Sequence, residues 1–482
     1  MMKARSDSIC YGTDLATGQR VGYSRVAHYG TMMQIRGMTS GGKSVLMTSL
    51  MLQYLQPYQV GGKEVIDPLC IVDLGGDLFT FNLIMEECIR LGRVLKWLSL
   101  DPLDESYFFD PLQSCKSLSG SSARKANFVT AGLNLAYAEG FGTGYFGRLN
   151  YATIREAFIR LGHQGVVSPT LLELGEELSE MAKRQKQGRE AAEALYALDQ
   201  LLDYPSLTRG EDPTKRIDVD EALEDSQVLY FFLPTLQEPL AARAVGTLAA
   251  WTVINAAAYR QKTGQSKRNI PLVIDEAAQI VHGQSFQDAL VLSRKYGIRI
   301  HMLYQSEAQL RSSRGTDMSQ VVGDNCAVKA FFTTDTSKGQ ELADLQGYSK
   351  DEIVPRLGTS RSGLRTTTSE QENEEPILKR NSVIDTSSTF GEFFLLFNDG
   401  KGHREPIRMM SEFPTTLEKH AELSNLPLPR KVVPQTVPSV HKEECSVKVS
   451  TDSRDAHHDQ RAAALRKLLA ALKQEEKWKL SV

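Results

Sequence analysis

One eight-residue run, Gly37-Met38-Thr39-Ser40-Gly41-Gly42-Lys43-Ser44, constrains this 482-residue chain more than any other feature, because it fits GxxxxGK[ST]. An apolar stretch ending at Ile35 leads into it, and a helical pattern over Lys43–Leu55 leaves it. That strand, loop and helix order is the context in which such a run cradles phosphate. The glycines let the backbone curl into a nest of N–H groups, and the helix N-terminus adds its dipole. In such a loop Lys43 reaches the β- and γ-phosphates, and the Ser44 hydroxyl ligates Mg²⁺. The plainer reading, a glycine-rich turn with an incidental lysine, does not account for the flanking strand and helix. The run points to a nucleotide and leaves open what the nucleotide drives.

The rest of the chain keeps the same rhythm. Apolar stretches at 69–74 and 94–98 flank a helical segment around 82–91, and short buried runs alternating with helices specify a parallel sheet with crossovers. The first 30 residues read as a small β-rich lead-in. From about Cys115 to Leu202 the strand signal gives way to helical pattern, including 151–161 and 171–202, which predicts an all-helical insertion. Strands resume at 228–233 and continue at 270–274, 298–303 and 328–333. Residues 360–381, rich in Ser, Thr, Arg and Glu, predict an exposed hairpin or mobile loop, and a strand pair at 392–398 and 405–410 closes the domain.

The expected organisation is a discontinuous α/β domain (1–114 and 206–413) with a mostly parallel central sheet, an all-helical inserted domain (115–205) and a flexible C-terminal tail (414–482). In that tail Pro427, Pro429, Pro434 and Pro438 mark a polar linker. A short helix at 461–473 follows, with Leu465, Leu468, Leu469 and Leu472 on one stripe, suited to packing back on the core or to docking a partner.

Composition narrows the class. With 41% hydrophobic and 24% charged residues, the chain is neither disordered throughout nor fibrous. A net charge of −3 argues against a uniformly basic nucleic-acid coat protein and leaves room for a local basic channel. The longest apolar run, 244–259, contains Thr247, Thr252 and Asn255 and predicts a buried core helix rather than a membrane span. The N-terminus shows no signal-peptide stretch. Six scattered cysteines without a CxxC pair read as reduced thiols of a cytoplasmic protein. The nine histidines have no ligand spacing, so no metal site built from protein ligands alone is expected.

A second chemical signal is the run Pro271-Leu272-Val273-Ile274-Asp275-Glu276, an apolar strand ending in two carboxylates. On a parallel sheet the carboxyl ends of the strands share the edge where a phosphate loop sits. Asp275 can hold the Mg²⁺ water shell there, and Glu276 can polarise an attacking water. The alternative is a helix start carrying favourable acids. Arg294-Lys295-Tyr296-Gly297 and Gln305-Ser306 follow in order. Gln305 could sense a γ-phosphate from the neighbouring strand end, and Arg294 could act on the next subunit's nucleotide. By themselves these two read more simply as a helix-terminal arginine and a polar strand-end glutamine.

Taken together the motifs resemble those of the coupling ATPases of type IV secretion and conjugative DNA transfer, the TraG/TraD-like members of the hexameric FtsK/HerA-type P-loop motors. The segments that carry the resemblance are Gly37 to Ser44, Asp275-Glu276, Arg294-Lys295-Tyr296-Gly297 and Gln305-Ser306-Glu307-Ala308-Gln309-Leu310. Val72-Asp73-Leu74-Gly75-Gly76-Asp77-Leu78 and Asp110-Pro111-Leu112 match the family's second-strand and third-strand segments. The resemblance spans roughly residues 25–412. It implies a RecA-like fold, ATP and Mg²⁺ as ligands, and phosphate contacts from Gly37, Thr39, Ser40, Gly41, Gly42, Lys43 and Ser44. It implies Ser44 and Asp275 at the metal, Glu276 on the water, Arg294 as a finger in trans and Gln305 as sensor. It further implies a homo-hexameric ring around DNA, with relaxase or secretion-channel partners.

The chain departs from the family at three points. It shows no transmembrane anchor, so a cytoplasmic location with membrane association through partners is expected. Gly75 stands where the family usually has Lys. The C-terminal tail matches no recognised segment. Basic loops that could face a pore are Lys183-Arg184-Gln185-Lys186 and 361–365, neither interleaved with aromatic residues. Two other functions remain open at this stage. One is a HerA-like motor serving a nuclease in end processing or defence. The other is an ATPase that recruits protein cargo without moving DNA.

Overall fold

The computed structural model describes residues 7–26, 30–136, 144–183, 188–208, 212–265, 268–281, 283–311, 317–332, 389–397 and 406–431, with the backbone of short strands between 348 and 376. The strands of its main sheet are β1 (Ser8–Asp14), β2 (Arg20–Ser24), β3 (Met33–Arg36), β4 (Leu69–Asp73), β5 (Leu95–Ser99), β6 (Val228–Phe232), β7 (Ile270–Asp275), β8 (Ile298–Tyr304), β9 (Val328–Phe331), β10 (Glu392–Phe397) and β11 (Ile407–Met410). They line up in the order β2-β1-β11-β10-β9-β3-β8-β7-β4-β6-β5. From β5 to β9 every pairing is parallel, and from β9 to β2 every pairing is antiparallel.

The parallel strands are near-continuous apolar runs because helices cover both faces. Strand alternation sorts their side chains. Cys70 and Val72 face a core built with α3 (Ser122–Ala136) to α6 (Gly188–Leu202), α7 (Pro239–Lys262) and α8 (Gly283–Ser293). Leu69 and Ile71 face α1 (Lys43–Leu55) and α2 (Leu78–Leu91) with Leu50, Tyr54, Phe81 and Ile84. The apolar run at 244–259 lies within α7. Among the described residues α7 alone is long and apolar enough to cross a membrane, and 78% of its apolar window is buried in the protein.

Among the described residues between β5 and β6 the regular elements are helices, α3, α4 (Gly144–His163), α5 (Leu171–Ala182), α6 and shorter helical turns. Asp110, just past β5, ties this region to the sheet. Its buried carboxylate accepts from the Leu112 and Leu171 N–H groups, each at 2.9 Å, so it caps the start of α5 from outside. Thr170 and Glu173 complete that cap reciprocally.

Two expectations need adjustment. The tail does not leave the domain at 414. Helix α9 (Leu417–Ser424) packs on α2, with Leu423 against Phe79 and Leu83. Asn82 donates to the Leu423 and Leu426 carbonyls, both at 2.9 Å, and the Glu105 N–H donates to the Pro429 carbonyl at 2.7 Å. Pro427 and Pro429, two of the prolines that suggested a linker, lie in a strap that runs through residue 431; Pro434, Pro438 and the helix at 461–473 lie outside the described residues. The hairpin expected at 360–381 begins earlier, with Ile353–Gly358 paired antiparallel to Thr367–Glu372. The loop at 361–365 is outside the described residues, as are 184–187.

Candidate nucleotide site

The phosphate loop is the crossover from β3 to α1, and its shape depends on two glycines. Gly37 has φ 156° and Gly42 φ 103°. A Cβ on Gly37 would lie 2.5 Å from the Phe332 Cβ, and one on Gly42 would lie 2.8 Å from the Gly391 Cα. Only glycine allows both the conformation and the close approach. Ser40, between them, is a non-glycine residue at φ 66°. The Lys43 ammonium folds back on the loop, donating to the carbonyls of Gly37 (2.7 Å) and Met38 (2.9 Å). Burial lowers its pKa, while Glu276 and Asp275 oppose that shift.

The acids come from the ends of β7 and β4. Parallel register sets Asp73 directly beside Asp275. Ser44, Thr48, Asp73, Asp77, Thr80 and Asp275 meet around one small cavity at the head of α1. Asp73 is tied down by its own turn, accepting from the N–H groups of Gly76 (2.7 Å) and Asp77 (3.1 Å) and from the Tyr230 hydroxyl (2.9 Å). The Asp275 pKa is raised first by burial and then by the charges of Asp73 and Glu276. Burial also raises that of Asp73, with Asp77 adding to it. Glu276 sits at φ 48°, ψ 43°, a conformation that costs a non-glycine residue of order 1–3 kcal/mol and recurs at functional sites. The Gln305 side-chain amide donates to its carboxylate at 3.3 Å.

Hard oxygen donors, the Ser44 hydroxyl and the Asp275 carboxylate, thus converge where several carboxylates crowd each other with Lys43 as the nearby cation. That donor set suits Mg²⁺, whose charge would offset the crowding.

The structure therefore brings together Gly37, Thr39, Ser40, Gly41, Gly42, Lys43, Ser44, Asp275, Glu276 and Gln305 at one sheet edge. It does not bring Arg294 there. Arg294 is exposed and precedes β8, so it lies at the amino-terminal edge, where Gly30 packs on its backbone. Lys183, the described member of the first basic loop, pairs with Glu180 at 2.6 Å.

Sequence reasoning did not place Asp73 in the site, although Val72-Asp73 repeats the strand-ending acid of Ile274-Asp275 and offered the same signal. It also missed the ion pair of buried Arg36 with Glu307, which joins the start of the phosphate loop to the segment after Gln305. No spacing rule links those two residues. The Gly75 departure now has a geometric setting. A Cβ at 75 would lie 2.8 Å from the Asp275 carboxylate, so the lysine usual in the family would start among these acids and the Asp275 side chain would have to shift to admit it.

Residues 269–385 match the family model described as the TraM recognition site of TraD and TraG, a segment holding Asp275, Glu276, Arg294 and Gln305. Solved structures match over most of the chain. The conjugative coupling protein TrwB, in an unbound form, is 17% identical over 84% of this chain and 89% of its own, with a TM-score of 0.59. TrwB in complex with ADP and Mg²⁺ gives 0.57 over 84% and 90%, again at 17% identity. VirB4 of Thermoanaerobacter pseudethanolicus gives 0.53 at 15% identity, over 86% of this chain and all of its own. The resemblance to the coupling ATPases is borne out. At such identities the structural likeness itself speaks for the RecA-like fold. No curated protein sequence matches the chain.

Proposed function

We propose that this chain hydrolyses ATP as a homo-hexameric DNA translocase, the coupling protein of a conjugation or type IV secretion apparatus. The observation that carries the reading is the convergence of Lys43 and Ser44 with Asp275, Glu276 and Gln305 at one sheet edge. The family match over 269–385 and the coupling-protein fold favour this motor over the two other readings.

In this reading Lys43 leaves the Gly37 and Met38 carbonyls for the β- and γ-phosphates. Ser44 and Asp275 would hold Mg²⁺, which would offset phosphate charge. Glu276, aimed by its backbone and by Gln305, takes the proton of the attacking water. Arg294 lies on the far edge of its own subunit, so it serves the nucleotide of a neighbour in a ring. The segment that matches the TraM recognition model is the natural face for relaxosome or secretion-channel partners. A cytoplasmic position, meeting the membrane through such partners, follows from the same reading.

Steady-state hydrolysis with and without single- and double-stranded DNA tests it. DNA stimulation that disappears in Glu276→Gln is expected. Hydrolysis indifferent to both DNA forms would overturn the translocase and favour the cargo-recruiting ATPase. In mixed rings, Arg294→Ala subunits should regain turnover beside Glu276→Gln subunits that keep Arg294. No recovery in any mixture would count against the trans finger.

A further inference from the structure

The phosphate loop rests on two strand ends that the chemistry above does not use. The Gly391 N–H, just before β10, donates to the Gly41 carbonyl at 3.2 Å, and its Cα is the atom that forbids a Cβ on Gly42. The Gly391 carbonyl in turn accepts from the Ser411 N–H at 2.8 Å, which brings the end of β11 alongside. Phe390 and Phe413 flank this junction. Their rings lie 5.6 Å apart at 33°, and each is 50% exposed. The inward faces of the same two strands are already filled by Phe393, Leu395 and Met409. These two rings therefore lie outside the core, side by side, at the flank of a loop shaped for phosphate.

We propose that Phe390 and Phe413 are the base subsite of the nucleotide, an apolar platform on which the purine stacks while its phosphates occupy the loop. This deepens the nucleotide reading above and rests on it. The occupant is set by continuity. The loop fixes one end of the ligand, Gly391 joins loop and platform through a hydrogen bond, and a purine presents the flat face that two such rings accept. The charged neighbour, Glu412, is engaged by Arg20 at 2.6 and 2.7 Å. The platform thus takes the purine by its face, and adenine and guanine nucleotides should bind within a few-fold of each other.

Calorimetric titration of the full chain with ADP, and separately with inorganic tripolyphosphate, tests this. Phe390→Ala and Phe413→Ala should each weaken ADP about tenfold, the low end of what stacking a base on an aromatic ring contributes. Tripolyphosphate affinity should stay unchanged, which also shows that the loop is still folded. Phe413→Trp should keep ADP affinity and lose indole fluorescence as ADP binds. ADP affinity unchanged in both alanine variants would overturn the proposal. So would equal losses for ADP and tripolyphosphate, since the rings would then be supporting the loop and not the base. Lys43→Ala separates the two levels. It should weaken both ligands, and if it weakens neither, the phosphate-loop reading itself fails.

Discussion

The sheet buries charge at both ends and treats it in opposite ways. At the amino-terminal end, Asp67 accepts from Asn269 (2.7 Å) and Tyr58 (3.0 Å), with Arg25 at 3.7 Å. Arg25 lies over the Tyr58 ring, and Arg299 donates to the Tyr54 hydroxyl, which meets His301 at 2.9 Å. Burial raises the Asp67 pKa, and Asn269, Arg25, Tyr58 and Arg299 all pull it back. At the carboxyl-terminal end, Asp73, Asp77 and Glu276 push the Asp275 pKa the same way that burial does. Around Asp67 the neighbours oppose the effect of burial, whereas the acids around Asp275 reinforce it beside a phosphate loop, an arrangement that a divalent cation would complete. That difference separates the structural carboxylate from the candidate site.

Breaking the compensated end should cost folding. Asp67→Ala leaves Arg25 without its carboxylate and should destabilise the protein by about 3–5 kcal/mol, the range for a buried pair that loses one partner. Chemical denaturation measures this, and the hydrolysis rate per folded molecule should be unchanged. Breaking the uncompensated end should cost chemistry. Asp275→Asn should lower turnover at least about 100-fold while the melting temperature stays level or rises, because a crowded acid is removed. A large fall in melting temperature there would erase the contrast between the two ends.

Supplying the missing charge sharpens the comparison. Gly75→Lys places a cation beside Asp275, which favours its ionised form and lowers its pKa. The acid limb of the pH–rate profile should therefore move to lower pH, whereas Gly75→Ala, whose methyl group crowds the same carboxylate without a charge, should not lower it. The last comparison is at His301, whose pKa burial lowers to about 3 with Arg299 adding to it. Its folded pKa lies below its unfolded value near 6.5. Its neutral form thus contributes stability above that value, and the contribution is lost as pH falls towards 3. Stability measured across that window should decline by up to one proton's worth per pH unit, and less steeply in His301→Gln.

What could be read from the chain in advance follows from which forces are local. Helix α1 runs over Lys43–Leu55 as expected, because a glycine loop and an apolar period define both its start and its face. The strands lie within a residue or two of their apolar runs, since a sheet covered on both sides leaves little ambiguity. Contacts between distant segments were not legible. The strap at 417–431 looked like linker because its prolines and polar residues are local features, while Asn82, which holds it, is more than 300 positions away. Phe390 and Phe413 sit in sequences with no motif, and only the Gly391–Gly41 hydrogen bond shows what they flank. Asp73 was legible and passed over: its strand ends in an acid just as β7 does.

The decisive experiment is single-turnover ATP hydrolysis by Glu276→Gln beside the wild type, with ATP affinity measured on the same samples. ATP should bind as tightly as in the wild type while the cleavage step slows about 10²–10⁴-fold, the usual contribution of a general base. Cleavage at the wild-type rate would contradict this role, because the acid held by Gln305 would then have no part in activating water.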